Sequence, residues 1–195
     1  MTMIDDSALP QLFGEARTFS RWQDREVPDA LIESAIAMAL LGPTSGNCEP
    51  MRLVLVKSKK AKERLLPCVS SGNSEKVRTA PVTAIVAYDT LFYEYLPRLF
   101  PHTDARSWFT SNEALATETA FRNSSLEGAY FILALRAHGL DCGPMSGFNP
   151  QAVDAAFFPD GRWRANFLLN IGYGDRSALH PRPPRLEVAE VARWA

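Results

Sequence analysis

Apolar positions recur at steps of three and four over residues 28–41 (PDALIESAIAMALL), where Leu31, Ile32, Ala35, Ile36, Ala39 and Leu40 fall together. That spacing predicts a helix. Pro28 suits its first turn, and Gly42-Pro43 ends it. Leu53–Val56 is a short all-apolar run between polar ends, the pattern of a buried strand, and Val82–Tyr88 (VTAIVAY) is a second. Between them, Ser58 is placed to cap a helix carrying Ala61, Leu65 and Leu66. Thr110-x-x-Glu113 has the spacing of a capping box. A long helical stretch over 111–138 follows it, with Leu126, Ala129, Tyr130, Leu133 and Ala137 on one face. Unbroken, it spans about 42 Å, enough for a central core helix. Residues 150–157 read as a short helix and Asn166–Tyr173 as a third strand. From Arg176 the chain is a proline-rich, extended tail (Pro181, Pro183, Pro184) with a final turn from Glu187. Strands separated by helices predict an α/β or α+β sheet. No repeat or linker interrupts the pattern, so residues 1–195 read as one domain with a C-terminal tail.

Composition removes several classes of function. The formal net charge is −1, so no global basic field points to nucleic acid. The longest apolar runs, such as Phe131–Leu135, are far short of a membrane span. The start, MTMIDDSALPQ, has no basic segment and carries two acids, unlike a secretory leader. Cys48, Cys68 and Cys142 are odd in number and never form C-x-x-C, which argues against a disulfide framework and a structural zinc site and suggests the reducing cytoplasm. His102, His138 and His180 have no metal-ligand spacing, so no metal is expected. His138, near the predicted end of the long helix, reads as a partner for the helix dipole. There is no Walker A loop. Gly172-Tyr173-Gly174 lacks the third glycine of a dinucleotide fingerprint, and in Gly143–Gly147 the serine stands one place late for a nucleophile elbow.

Five constellations remain. Arg17-Thr18-Phe19-Ser20-Arg21 sets two guanidinium forks and two hydroxyls where they can collect on one phosphate. Gly42–Pro50 (GPTSGNCEP) is a small, polar, turn-forming loop between helix and strand. Ser70-Ser71-Gly72-Asn73 is another polar loop, and its asparagine can offer a planar heterocycle both a donor and an acceptor. Gly139–Phe148 (GLDCGPMSGF) is a glycine loop in which backbone can approach a flat ring closely. Arg182 and Arg185 sit in the proline-rich tail. Taken singly, each is equally well a solvated turn, a connector or a charged tail.

Taken together and in this order, they resemble the FMN-binding nitroreductase superfamily. The correspondence runs through Arg17–Arg21, Pro43-Thr44-Ser45-Gly46-Asn47-Cys48-Glu49-Pro50, Asn73, Pro144–Gly147 and Arg185, nearly the whole chain. The stretches Leu99–Thr110 (LFPHTDARSWFT), Thr117–Ser125 (TETAFRNSS) and Gly143–Phe148 (GPMSGF) look like the malonic semialdehyde reductase subgroup of pyrimidine-ring catabolism. Glu49 and Met51 replace the family's common glutamine and tryptophan. Met145-Ser146 stands where many relatives carry a glutamate, and Pro183 where some carry a lysine.

The resemblance implies an α+β sandwich with a mixed, mainly antiparallel sheet flanked by helices, in an interlocked homodimer with FMN in clefts at the interface. It assigns Arg17, Thr18, Phe19, Arg21, Asn73, Pro144, Met145, Ser146, Gly147 and Arg185 to FMN in one subunit, and Pro43, Thr44, Ser45 and Asn47 to FMN from the other. The implied activity is NAD(P)H oxidation by ping-pong hydride transfer to malonic semialdehyde, giving 3-hydroxypropionate. NADH or NADPH is then the co-substrate, and the flavin, not a side chain, carries the hydride. Arg106, or Arg98, is offered for the semialdehyde's carboxylate. The alternatives are a broad quinone or nitroaromatic reductase and a flavin-binding or flavin-processing protein.

Overall fold

The computed structural model describes residues 4–195. Val82–Asp89 forms β2, buried at all but one position, which is what a strand covered on both faces requires. β1 (Met51–Val56) pairs with it on one side and β4 (Trp163–Gly172) on the other, while β3 (Asp141–Met145) closes the edge beside β4. The order is β1-β2-β4-β3 and every ladder is antiparallel. The expected mixture of directions is confined to one isolated parallel bridge between Thr18 and Cys142.

Alternation along β2 divides the core in two. Val82, Ala84 and Val86 face a cluster built with α1 (Asp29–Ala39) and α6 (Glu113–Ala137), which includes Ile32, Phe131 and Leu135. Ile85 and Ala87 face the other cluster, with Leu65 of α2 (Lys59–Leu65), Val77 of α3 (Ser71–Thr79) and Val153 of α7 (Pro150–Phe157). A third cluster gathers Phe92, Leu96 of α4 (Leu96–Leu99), Phe109 of α5 (Ser107–Thr110) and Ala120. Residues 181–195 are exposed throughout and hold only the short α8 (Val188–Val191), started by a Glu187/Glu190 capping box. No helix among the described residues is long and apolar enough to cross a membrane.

Four expectations need correction. The stretch 141–145 is an edge strand rather than a loop. Pro144 is tolerated there because it lies at a sheet edge, where a missing N–H costs no ladder bond. Ser71–Asn73 is the first turn of α3, not a turn between elements. The cap of α6 is Asn112, whose side chain accepts from Leu115 N, while Thr110 ends α5. The face that α6 buries is also different. Leu126 and Ala129 are exposed, and the buried stripe carries Asn123, Ser124, Glu127, Gly128 and Phe131. Polar residues occupy it because they bind backbone across the interface: Asn123 and Glu127 accept from Ser45 N and Met51 N. His138 caps α6, with Nδ1 2.8 Å from Ala134 O and Nε2 2.8 Å from Ser34 Oγ.

Candidate functional site

β3 organises two groups of polar residues, one at each end. At its start, Phe19 N donates to Cys142 O at 3.0 Å and docks the segment 16–20 along the free edge. The Phe19 ring is 2% exposed and leans on Gly174, where a Cβ would lie 2.1 Å from the ring. Phe19 therefore presents its backbone, not its side chain, to the edge. Beside it opens a cleft of about 410 Å³ lined by Arg17, Thr18, Ser20, Arg136, Arg182 and Arg185. Carbonyl oxygens set the guanidinium groups. Arg17 donates to His180 O, Arg136 to Leu12 O at 2.8 Å, and Arg182 to Gly14 O and Ala16 O at 2.8 Å each. Among the described residues Arg185 donates only to Pro183 O and Pro184 O in its own tail. None of these four arginines pairs with a carboxylate among the described residues. Four guanidinium forks without a carboxylate partner give this cleft a positive lining suited to an anion. Arg21 is not among its lining residues. Its carbonyl accepts from Asp175 N at 3.0 Å, and its charge adds slightly to the Ser177 hydrogen bonds that hold the Asp175 carboxyl below its usual range.

At the far end of β3 the chain turns back on α3. Asn73 Nδ2 donates to Gly147 O at 3.2 Å, Ser70 N donates to the same oxygen at 3.0 Å, and Lys76 Nζ donates to Asn73 Oδ1 at 2.8 Å. A Cβ at Gly147 would lie 2.3 Å from Asn73 Nδ2, so this approach needs glycine. The start of α3 and the loop after β3, far apart in the chain, thus meet in one polar junction. Pro144 and Ser146 are exposed beside it, and Met145 packs inward on the second core cluster.

Pro43–Asn47 forms no hydrogen bond with either group among the described residues. It is held from other directions: Ser45 N by Asn123 Oδ1 at 2.8 Å, Asn47 Nδ2 by Leu99 O at 2.9 Å, and Thr44 Oγ1 by Glu49 N at 3.2 Å. Pro43, Ser45 and Asn47 are exposed. Arg106 places Nε and Nη2 on Glu94 at 3.2 and 2.8 Å, in a pair that is nearly half exposed. Arg98 is exposed over the Tyr95 ring, 5.8 Å from its centroid.

The sequence profile of the nitroreductase family matches residues 15–173. The chain belongs to this family. A Burkholderia lata protein is 58% identical over 193 residues, 99% of each chain, and carries the provisional name NADH dehydrogenase/NAD(P)H nitroreductase. A Ralstonia nicotianae protein of the same provisional name is 54% identical over 193 residues, again 99% of each chain. Among solved structures, a Bacillus subtilis chain provisionally called a nitroreductase superposes with a TM-score of 0.87 at 20% identity, over 98% of this chain and 100% of that one. An Exiguobacterium sibiricum chain, provisionally called a nitroreductase and solved in complex with FMN, gives 0.86 at 21% identity over 100% and 99%. These two likenesses show that the fold is the nitroreductase fold.

Three polar residues of this nitroreductase-family chain escape motif reading. Arg136 joins the cleft from the last turn of α6, where a basic residue is ordinarily read as a dipole partner. Lys76 lies one helical turn after Asn73, a spacing visible only once Ser71–Thr79 is known to be helical. Glu127 has a legible signal in retrospect, since it lies three and four residues from Ser124 and Phe131 on one helical face.

Proposed function

We propose that the chain is a homodimeric, FMN-dependent NAD(P)H oxidoreductase that reduces malonic semialdehyde to 3-hydroxypropionate. The observation that carries the cofactor assignment is the pairing of the four-arginine cleft with the Asn73–Gly147 junction along one edge strand. Cys142 and Gly147 are five residues apart, at most about 17 Å of extended chain. That arrangement suits an elongated ligand with a phosphate at one end and a flat, hydrogen-bonding ring at the other. Arg17, Arg136, Arg182 and Arg185, with the Thr18 and Ser20 hydroxyls, would hold the phosphate. Asn73 and the backbone of Ser146 and Gly147 would meet the ring's polar edge. Bound FMN supplies hydride transfer between NAD(P)H and the acceptor. The chain's part is to bind, orient and exclude water. Arg21 stands outside the lining and is assigned at most a long-range charge.

The second subunit would supply Pro43, Thr44, Ser45 and Asn47, which no contact within one chain brings to the cleft. Exposed apolar surface supports that dimer. Phe121 and Leu126 are 52% and 41% exposed on α6, and Leu186, Val188 and Trp194 project from the tail. A semialdehyde's carboxylate would meet Arg98 directly, and Arg106 only by displacing Glu94.

The shared provisional name of the two relatives favours a second reading, a broad NAD(P)H reductase of nitro compounds and quinones. The visible spectrum of the purified protein, taken anaerobically before and after NADPH, tests the shared chemistry. Flavin bands that bleach support it, and a colourless protein that takes up no FMN refutes it. The ratio of kcat/KM for malonic semialdehyde to that for a quinone decides the acceptor. Flavin that survives repeated turnover removes the flavin-processing alternative.

A further inference from the structure

α6 carries one acid that neither the core nor the phosphate cleft explains. Glu127 is 1% exposed. Its Oε2 accepts from Met51 N at 2.9 Å, where the loop Pro43–Pro50 becomes β1. Its Oε1 is buried and has no hydrogen-bond partner among the described residues. One turn earlier, Asn123 Oδ1 holds Ser45 N at 2.8 Å. α6 therefore grips this loop near both ends, with an amide and an acid. The loop between needs such a grip. Gly46, Asn47 and Glu49 have φ of +57°, +51° and +38°, and for the two that are not glycine the left-handed region is strained.

The groups acting on Glu127 come from the loop and from β1. Burial dominates and pushes its carboxyl up to about 7. The Met51 N–H opposes this, the nearby Glu49 charge adds to it, and the Arg52 charge opposes it. Cys48, also in the loop, has its thiol pushed up to about 12 by burial and is uncharged at neutral pH. An ionised Glu127 would leave a charged oxygen buried and unsatisfied beside Glu49. A protonated one carries its hydrogen on Oε1 and leaves Oε2 to accept from Met51.

We propose that Glu127 is a positioning residue whose neutral form holds the loop Pro43–Pro50 in the shape that receives FMN, so that rising pH loosens the loop and weakens FMN binding. This rests on the FMN reading above. It assigns no contact between Glu127 and the cofactor.

FMN affinity of the full chain, read by quenching of flavin fluorescence at pH 6 and pH 8, tests it. The wild type is expected to bind about tenfold more weakly at pH 8, the effect of one proton lost over one pH unit above its pKa. Glu127→Gln, neutral at every pH, is expected to bind about equally at both. The same slope in both proteins overturns the inference, as does equal binding by the wild type at both pH values. No FMN binding at either pH instead overturns the FMN reading itself. Difference infrared spectra of the wild-type apoprotein give a second test that needs no variant. A carbonyl band of a protonated acid should fade between pH 6 and pH 8, and its absence overturns the inference.

Discussion

Gly147→Ala separates the site from the fold. The new Cβ would lie 2.3 Å from Asn73 Nδ2, whereas ordinary contact begins at 3.4 Å. The amide must retreat by about 1 Å, which breaks its 3.2 Å bond to Gly147 O and disturbs the 2.8 Å bond from Lys76. Each bond contributes about 1 kcal/mol net. If FMN needs the junction intact, affinity should fall by about 1–2 kcal/mol, or roughly 5- to 30-fold. Gly147 has no positive φ, so no backbone strain adds to the loss of these bonds, and the melting temperature should fall by only about 2–8 °C. Two further glycines calibrate the result. At Gly143 a Cβ would lie 2.3 Å from the backbone oxygen of Phe19, which cannot swing away. Gly143→Ala should therefore destabilise the whole chain by about 1–3 kcal/mol. At Gly72, in the first turn of α3, a Cβ meets nothing within 4 Å. Gly72→Ala should leave FMN binding intact and stabilise by about 0.5–1 kcal/mol. The assay is FMN titration by fluorescence with a thermal melt of each apoprotein. Wild-type affinity in Gly147→Ala, or an equal loss in Gly72→Ala, would refute the placement of Asn73 at the ring.

Among the described residues the Arg185 side chain bonds only to carbonyls of its own tail, so Arg185→Ala should leave the melt unchanged and weaken FMN by about 1.5–3 kcal/mol while sparing riboflavin, which has no phosphate. Equal weakening of both flavins in parallel titrations would remove Arg185 from a phosphate site. Asp89 is fully buried between Arg52 at 3.0 Å and Arg162 at 3.1 Å. Asp89→Ala should cost about 3 kcal/mol in urea unfolding, the low end for a broken buried pair because Arg162 is partly solvated; a loss under about 1 kcal/mol contradicts this. Burial pushes the Cys48 and Cys142 thiols up to about 12 and also raises Cys68. Iodoacetamide at pH 8 should therefore modify the unfolded chain but not the native one, and prompt native labelling of Cys142 would count against the fold's packing.

The pattern of apolar residues located β1, β2, β4 and α1 because each carries a run or stripe of apolar residues into the core, and it found the extent of α6 but not its buried face. It failed where burial is achieved by other means. β3 contains Gly143 and Pro144 in five residues, and as an edge strand it needs neither alternation nor every N–H. Ser71–Thr79 is mostly polar, and only Val77 is buried along it. The candidate site is read from five short motifs in order, with Arg17, Asn73, Gly147 and Arg185 among them. Their meeting was not legible. Asn73 and Gly147 come together where Val69 bridges to Phe148 and Ser70 and Asn149 bond across, a pairing between segments some eighty residues apart. Arg136 and Lys76 enter through helical phase, which short motifs do not encode. Gly172 and Gly174, suggestive of a nucleotide loop in sequence, are small for packing: a Cβ would lie 2.7 Å from Trp22 and 2.1 Å from Phe19, respectively.

The misread face of α6 has a physical cause that bears on assembly. A helix serving one core places its apolar stripe inward and its polar residues in water. α6 instead turns Asn123, Ser124 and Glu127 inward and leaves Phe121, Leu115 and Leu126 at least 40% exposed. The inward polar groups are accounted for by backbone of the loop Pro43–Pro50 and, at Ser124, by Asn166 Nδ2 at 2.9 Å. Among the described residues the outward apolar groups stay largely uncovered, Phe121 meeting only the edge-on Tyr88 ring at 6.1 Å. The loop that α6 braces from inside is also the one that reaches neither the arginine cleft nor the Asn73 junction. One further copy of the chain would satisfy both demands at once. It would cover the apolar stripe, and it would give the braced loop a cleft to complete. In the proposed dimer the pull of Asn123 and Glu127 on the loop would then serve the neighbouring subunit's cofactor site, and stability of the assembly and affinity for FMN should rise and fall together.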